Sequence, residues 1–349
     1  MLTTDPTCAA AEAAVVDTRG RRLRDLRVSV TDRCNMRCRY CMPREIFGPG
    51  FPFVPRGELL HFEEIARVAA AFARAGVRKV RLTGGEPLLR AGLPDLVTML
   101  KAIPGVDDIA LTTNGSLLTR HARRLRDAGL TRITVSLDTL DADRFASLAD
   151  TDVGLDSVLA GIAAASEVGF APLKLNTVVR RGWNDADIEG LAAFGREHGH
   201  SVRFIEYMDV GDTNGWRLDE VVPAAEIVGR IGARWRLEPV PASYSGEVAN
   251  RFRYLDGAGE VGVISSITQP FCGACSRARL SAIGEVYTCL FGSQGHDLRG
   301  LIRGGADDDA LDAAIRTLWT ARGDRYSELR AAHNLPPPRH KVEMSYIGG

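Results

Sequence analysis

Six of the seven cysteines fall into two groups of three near opposite ends of the 349-residue chain. The first cysteine group has the spacing Cys34-x₃-Cys38-x₂-Cys41, and the second has the spacing Cys272-x₂-Cys275-x₁₃-Cys289. Thiolates at such spacings hold zinc or iron–sulfur clusters. A structural zinc or an ordinary [4Fe–4S] cluster takes four ligands, so three thiolates leave one metal position open for chemistry. The two groups therefore predict an enzyme with two reactive metal centres.

Other uses of these cysteines are open at this point. The first group would also suit a zinc knuckle completed by a distant Cys or His, although none lies nearby in the sequence. In the second group, Cys272 and Cys275 have the spacing of a redox pair, which does not need Cys289. A zinc ribbon there would need a fourth ligand such as His296. Either zinc interpretation would make this a metal-stabilised binding protein without catalysis.

Composition restricts the class of protein. The chain has 44 basic and 44 acidic residues and a formal net charge of zero, so no overall field favours nucleic acid. An anionic substrate would need a local basic cluster. No apolar run approaches the ~18 residues that span a membrane, and residues 1–20 do not resemble a signal peptide. An odd number of clustered cysteines fits a reduced, cytoplasmic protein better than a disulfide-bonded one.

Short β-branched stretches alternate with longer amphipathic ones over the first two thirds of the chain. This alternation predicts a parallel α/β sheet covered by helices, and an open doubly wound sheet is one arrangement that fits it. Glycines at 76, 129 and 169 are predicted to end three of the helices. The predicted strands are 26–30, 79–82, 108–112, 132–136, 173–179 and 203–207, and the predicted helices are 62–75, 93–102, 118–128, 155–168 and 185–198.

Polar or glycine-rich segments follow most of these strands. They are the loop of the first cysteine group, Thr83-Gly-Gly-Glu-Pro87, Thr112-Thr-Asn-Gly115, Ser136-Leu-Asp138 and Met208-Asp-Val-Gly211. Taken singly, each would be read as a turn. Parallel α/β folds bind ligands beyond the carboxyl ends of their strands. The shared position of the segments therefore predicts one ligand site at that edge.

The first cysteine group, with Tyr40 before its last cysteine, resembles the signature of radical S-adenosylmethionine (SAM) enzymes. The resemblance implies a partial (β/α)₆ barrel with a C-terminal extension that carries a second cluster. It implies a [4Fe–4S] cluster on Cys34, Cys38 and Cys41 whose fourth iron binds SAM and whose electron cleaves it to a 5′-deoxyadenosyl radical. Gly84-Gly85-Glu86-Pro87 resembles the motif that meets the SAM amino group. The implied SAM contacts are Tyr40, Gly85, Ser136 and Met208.

The segment Phe271-Cys-Gly-Ala-Cys-Ser-Arg-Ala-Arg-Leu280, followed by Cys289, is similar to the second cluster site of the GTP 3′,8-cyclase family. The resemblance runs from about Leu26 to the ending Met344-Ser-Tyr-Ile-Gly-Gly349. It implies a second [4Fe–4S] cluster on Cys272, Cys275 and Cys289 that binds the guanine of GTP. The implied GTP contacts are Arg27, Arg81, Thr112, Lys174, Arg277, Ala278 and Arg279. The implied catalytic residues are Arg277, Arg279, Gly348 and Gly349, the two glycines ending a flexible tail that reaches the active site.

The activity implied is the conversion of GTP to a 3′,8-cyclised dihydro-GTP, a lyase reaction that begins molybdenum cofactor biosynthesis. The implied partners are GTP, an electron donor and a downstream cyclic pyranopterin monophosphate synthase, and we expect a homodimer without nucleic-acid or membrane partners. An alternative is a radical SAM peptide-modifying enzyme with an auxiliary cluster, although such enzymes tend to carry more cysteines. The predicted divisions are an extension (1–20), a core barrel (21–230), a second-cluster region (231–335) and a tail (336–349).

Overall fold

The computed structural model describes residues 14–332 and 340–349. Its strands belong to one twelve-stranded sheet. They are β1 (Asp25–Ser29), β2 (Lys79–Thr83), β3 (Asp108–Thr113), β4 (Arg132–Ser136), β5 (Lys174–Val179), β6 (Ser201–Glu206), β7 (Leu237–Val240), β8 (Asn250–Tyr254), β9 (Glu260–Ile264), β10 (Arg277–Leu280), β11 (Glu285–Tyr287) and β12 (His296–Asp297).

Helices connect the central strands and cover the sheet. They are α1 (Phe62–Arg74), α2 (Leu93–Lys101), α3 (Leu118–Asp127), α4 (Ala142–Ala149), α5 (Leu155–Ala165), α6 (Ile188–Glu197), α7 (Ala224–Arg234), α8 (Arg299–Arg303), α9 (Asp308–Thr320), α10 (Tyr326–Ala331) and α11 (Met344–Ile347). None of the described helices is both long enough and apolar enough to cross a membrane.

The sheet is parallel at its centre and is extended at both edges by the C-terminal part of the chain. Strands β1 to β6 are neighbours in sequence order, β10 pairs in parallel with β1, and β9 pairs in parallel with β6. Antiparallel β11 and β12 continue one edge, and antiparallel β8 and β7 continue the other. The predicted α/β fold, a partial (β/α)₆ barrel with a C-terminal extension, is confirmed.

The central elements form where hydrophobic periodicity predicted them. Helix α1 buries one apolar stripe that includes Ile65, Val68 and Phe72, and Glu64 accepts a hydrogen bond from His61 N at its start. The predicted helix-ending glycines at 76, 129 and 169 have φ angles of 115°, 100° and 89°. Each of the six predicted strands is present, with ends that differ by at most two residues. Helix α4 and every element after β6 lie outside those predictions.

The predicted divisions of the chain stay predictions, and two of them can be placed on the structure. The boundary after residue 230 falls inside α7, so the change of region interrupts a helix, and the division itself stays a prediction. Within residues 14–20, expected to be flexible, Val15 and Asp17 are buried at 7% and 5% exposed, whereas the other five residues are exposed. Residues 1–13, with Cys8, and residues 333–339 lie outside the described part of the chain.

Candidate active site

Both cysteine groups line one cavity of about 330 Å³. The other predicted site residues that line it are Arg27, Tyr40, Arg81, Gly85, Thr112, Ser136, Met208, Arg277, Arg279 and Gly349. Lys174, Ala278 and Gly348 are not among its lining residues. The side chain of Ala278 is fully buried in the hydrophobic core, whereas its neighbours in β10 face the cavity. The structure thus brings together residues that are up to about 320 positions apart in the sequence.

The loop after β2 packs directly on the loop of the first cysteine group. Gly85 N donates to Thr31 O at 2.8 Å, and Glu86 N donates to Arg33 O at 2.8 Å. A Cβ atom at Gly85 would overlap with the carbonyl of Arg33, and one at Gly84 would overlap with that of Thr31. The glycines are therefore required by the close approach of two loops, in addition to any ligand contact.

Glu86 does not line the cavity itself but holds the loops that do. Its buried carboxylate accepts hydrogen bonds from Thr113 Oγ1 (2.7 Å), Asn114 N (2.7 Å) and Leu88 N (3.0 Å). Burial raises the pKa of Glu86 to about 7, although these hydrogen bonds favour its charged form. Asn114 lines the cavity and donates to Asn35 Oδ1 at 2.9 Å. Glu86 thus ties the loops after β2 and β3 to the cysteine loop.

Tyr40 is oriented by a buried carboxylate that sequence reasoning did not select as a site residue. Tyr40 Oη donates to Asp138 Oδ2 at 2.7 Å, and Asp138 Oδ1 accepts from Val178 N at 2.9 Å. Burial raises the pKa of Asp138 to about 6. Both side chains line the cavity with Ser136 and Met208. The signal was available, because Asp138 lies two residues after Ser136 and alternate residues share a face.

Burial disfavours the thiolate form at several of the six cysteines. Burial raises the pKa of Cys34 to about 11 and those of Cys41 and Cys289 to about 12, so bound iron would be needed to hold thiolates there. Burial also opposes ionisation of Cys275, but Arg277 and Arg322 lower its pKa to about 7.

The thiols of both groups are available as ligands. All six cysteines are free, and no three His, Cys, Asp or Glu side chains of the described chain are grouped closely enough to hold one ion. Zinc at ~2.3 Å from each sulfur needs sulfurs only about 3.8 Å apart. In a [4Fe–4S] cluster, each thiolate of one group would bind a different iron and leave the fourth iron open.

A cluster of cations lies beside the cysteines. Arg279, Arg27 and Arg81 are in register across β10, β1 and β2, and Arg81 Nη1 donates to Thr112 Oγ1 at 2.8 Å. Burial first, and then the neighbouring cations, lower the pKa of Arg27 well below its usual value and those of Arg81 and Arg279 to about 10. Among the described residues, none of these three arginines forms an ion pair with a carboxylate. Such uncompensated charge fits an anionic ligand.

Two more cations extend this cluster and were missed by sequence reasoning. Lys79 and Arg203 line the same cavity, and Lys79 Nζ lies 3.3 Å from Asp25 Oδ1. Burial and Arg81 lower the pKa of Lys79 to about 8. Lys174, outside the lining, has its pKa lowered to about 6 by burial and by neighbours that include Arg203. Lys79 could have been found, because it lies two residues before Arg81 on one strand.

The described part of the tail is anchored, and its end enters the cavity. Lys341 Nζ donates to Asp209 O at 2.7 Å, and Glu343 accepts from Asp212 N at 2.9 Å. Arg279 Nη1 donates to the carbonyl oxygen of Gly348, and Gly349 lines the cavity. Gly348 has a φ angle of 76°, and a Cβ atom there would overlap with the side chain of Thr83. Only glycine fits this position without displacement of the chain.

Comparison with known proteins identifies the class. The model of the Radical SAM superfamily matches residues 28–195, and the model named Molybdenum Cofactor Synthesis C matches residues 200–328. The crystal structure of Streptococcus suis SuiB bound to S-adenosylmethionine superposes with a TM-score of 0.60 over 88% of this chain and 74% of that one, at 14% identity, and so shares the fold. The chain is a radical SAM enzyme, a class that uses SAM and an iron–sulfur cluster.

Curated relatives identify the family. The GTP 3′,8-cyclase of Acidothermus cellulolyticus is 65% identical over 356 residues, which cover 95% of this chain and 98% of the relative. That of Xanthomonas axonopodis pv. citri is 50% identical over 337 residues, covering 97% and 99%. This chain belongs to the GTP 3′,8-cyclase family. The resemblance seen in the sequence is thereby confirmed, and the peptide-modifying alternative is not favoured.

Proposed function

We propose that this chain converts GTP to (8S)-3′,8-cyclo-7,8-dihydroguanosine 5′-triphosphate, a lyase reaction that is the first step of molybdenum cofactor biosynthesis. The observation that carries the proposal is the single cavity shared by both cysteine groups and the cation cluster. A SAM site alone would need only the first group. A second metal site and several uncompensated cations add what a nucleoside triphosphate requires, namely a base-binding site and counter-charge.

The cofactors in this proposal are two [4Fe–4S] clusters and SAM. When bound, the first cluster and SAM supply the radical that removes hydrogen from C3′ of GTP. Tyr40, Gly85, Ser136 and Met208 hold SAM in this proposal, and Asp138 fixes the ring of Tyr40. The second cysteine group holds the cluster that binds guanine. The clusters and SAM carry the chemistry, so the chain contributes orientation, electrostatics and exclusion of water.

The remaining residues bind the substrate. Arg27, Arg81 and Lys174 supply charge to the triphosphate, with Thr112 held against Arg81. The segment Arg277-Ala278-Arg279 adjoins the second cluster and contacts the nucleotide, Ala278 through its backbone only, since its side chain is buried. Gly348 and Gly349 bring backbone groups to a cavity where a side chain would not fit. In these roles, the residues would hold C3′ and C8 of one GTP molecule close together, as ring closure requires.

The proposal extends to partners. SAM cleavage consumes one electron, so an electron donor is required, and the cyclised nucleotide is the substrate of a downstream cyclic pyranopterin monophosphate synthase. A homodimer and a cytoplasmic location stay predictions.

The test uses GTP that carries deuterium at C3′. Anaerobically reconstituted protein with SAM and dithionite should form the cyclised nucleotide, and 5′-deoxyadenosine should gain one mass unit from the transferred deuterium. The matched control is the Cys272→Ala, Cys275→Ala, Cys289→Ala variant, which should keep about four irons and lose the nucleotide product. Cleavage of SAM by the wild type without deuterium transfer and without consumption of GTP would reject this substrate.

A further inference from the structure

Three buried charged residues lie behind the second cysteine group. Asp17 Oδ2 accepts from Arg21 Nε at 2.5 Å and from Arg322 Nη1 at 3.4 Å, and all three side chains are at most 2% exposed. Asp17 Oδ1 also accepts from the backbone of Arg21 at 2.9 Å. Asp17 and Arg322 are 305 positions apart. Residue 17 and residue 21 lie before the part of the chain matched by either family model.

The two guanidinium groups contact the cysteines themselves. Arg322 Nη1 donates to Cys275 O at 2.7 Å, and its Nη2 lies 3.2 Å from Cys275 Sγ. Arg21 Nη1 donates to Cys272 O at 2.8 Å. Arg21 Nη2 is buried and has no hydrogen-bond partner among the described residues, and Arg21 lines the cavity. One side chain therefore fixes both the backbone and the sulfur of a predicted iron ligand.

We propose that Arg322 is a positioning residue that orients Cys275 and raises the reduction potential of the second cluster. Arg21 assists it, and Asp17 holds both guanidinium groups in place. This inference rests on the proposed function, since it needs the second cluster. Hydrogen bonds to the sulfurs and nearby charge are among the factors that set iron–sulfur potentials. A one-electron reduction adds negative charge to the cluster, so a cation with an N–H donor at a ligand sulfur favours the reduced form.

The direction of the Arg322 side chain supports this role over a purely structural one. Asp17 and Asp324 both pair with its guanidinium group, at 3.4 Å and 3.2 Å. Its remaining nitrogen, Nη2, faces Cys275 Sγ rather than a carboxylate. Anionic cluster sulfur would give that N–H group a charged acceptor.

The reduction potential can be measured on the second cluster alone. In the full-length Cys34→Ala, Cys38→Ala, Cys41→Ala background, only the second cluster remains, with about four irons per chain. Arg322→Gln in this background should shift the reduction equilibrium at least ten-fold toward the oxidised form, or 59 mV for one electron. Arg322→Lys, which keeps the charge, should recover part of the shift. Arg21→Gln should shift the potential less than Arg322→Gln, since Arg21 reaches a carbonyl rather than a sulfur.

The matched control is Arg180→Gln, because the side chain of Arg180 is only 13% exposed and also pairs with a carboxylate, that of Glu220, at 2.8 Å. It is not among the residues that line the cavity, so its loss should leave the potential unchanged. An Arg322→Gln potential equal to that of Arg180→Gln would overturn the inference while leaving the proposed function intact. Absence of iron from the background variant would overturn both.

A second measurement does not depend on the folding of an Arg322→Gln variant. With ¹⁵N-labelled arginine, the reduced second cluster should show hyperfine coupling to nitrogen, because Nη2 lies 3.2 Å from a ligand sulfur. Arg322→Lys should abolish that coupling. Coupling that persists in Arg322→Lys, or that is missing from the parent, would contradict the contact.

Discussion

Lys174 should make GTP binding depend on pH. Burial, followed by repulsion from Arg203, Arg132, Arg81 and Lys79, lowers its pKa from 10.5 to about 6. With that pKa, about one molecule in ten is protonated at this position at neutral pH. A bound triphosphate would supply the missing negative charge and raise the pKa again. Binding should therefore take up roughly half a proton or more per GTP near neutral pH.

The direction and size of the effect follow from this linkage. Because the complex has the higher pKa, affinity should be greatest below about pH 6 and should fall by up to about ten-fold per pH unit between pH 6 and the raised pKa of the complex. A charge-assisted contact contributes about 1.5–3 kcal/mol, but protonating Lys174 at pH 7.5 costs about 2 kcal/mol. Lys174→Met should therefore weaken binding roughly ten- to a hundred-fold at pH 6 and only slightly at pH 7.5.

Titration calorimetry in two buffers of different ionisation enthalpy measures the proton uptake. Lys174→Arg is the control, because arginine stays charged across this range, while titration of GTP itself is common to all the proteins. The arginine variant should lose the proton uptake and should bind GTP more tightly than the wild type at about pH 8. A pH dependence that is unchanged in Lys174→Arg would refute the assignment of the proton to this lysine.

Three further predictions concern residues beside the first cysteine group, in the tail and beside the second cysteine group. Gly85→Ala should displace the carbonyl of Arg33 and lower the reconstituted iron from about eight to about four per chain, whereas Gly57→Ala, which has open space around it, should not. Gly348→Ala should keep both iron content and SAM cleavage but lower the ratio of cyclised nucleotide to 5′-deoxyadenosine, and an unchanged ratio would contradict a role for the tail. Arg277→Lys should weaken GTP binding roughly ten- to a hundred-fold with a near-normal melting temperature, and normal affinity would count against it.

The parts of this structure that local patterns determine were predictable. The central strands and helices follow hydrophobic periodicity, which depends on neighbours in sequence. The part of the cavity at the carboxyl ends of the strands followed from the topology of parallel sheets. The cavity also reaches Asp25, Lys79 and Arg277, which begin their strands, and that extension was not predicted. Lys79 and Asp138 were within reach of the same reasoning, since each lies two residues from a selected residue on one face of a strand or its extension.

Contacts between distant segments were not predictable in this way. Asp17 and Arg322 meet because the N-terminal segment packs beside the end of α9, and neither residue has a neighbour that signals the pairing. The tail was expected to be flexible, but Lys341 meets Asp209 across 132 positions. Single charged residues in a sequence are usually solvated, so only the three-dimensional structure distinguishes these from surface charges.

Arg279 connects the parts of the site that the fold assembles separately. It lies in β10, three strands from β3, in register with Arg27, and four residues after Cys275. It donates to Gly348 O and yet carries no carboxylate partner among the described residues, so its charge is available to an anion. A guanidinium has five N–H donors in one plane, enough to hold the tail and a nucleotide at once. A lysine offers three donors around a point charge and cannot span both directions. In the proposed reaction, one side chain at this position would hold both the tail and the nucleotide, a task that suits arginine better than lysine.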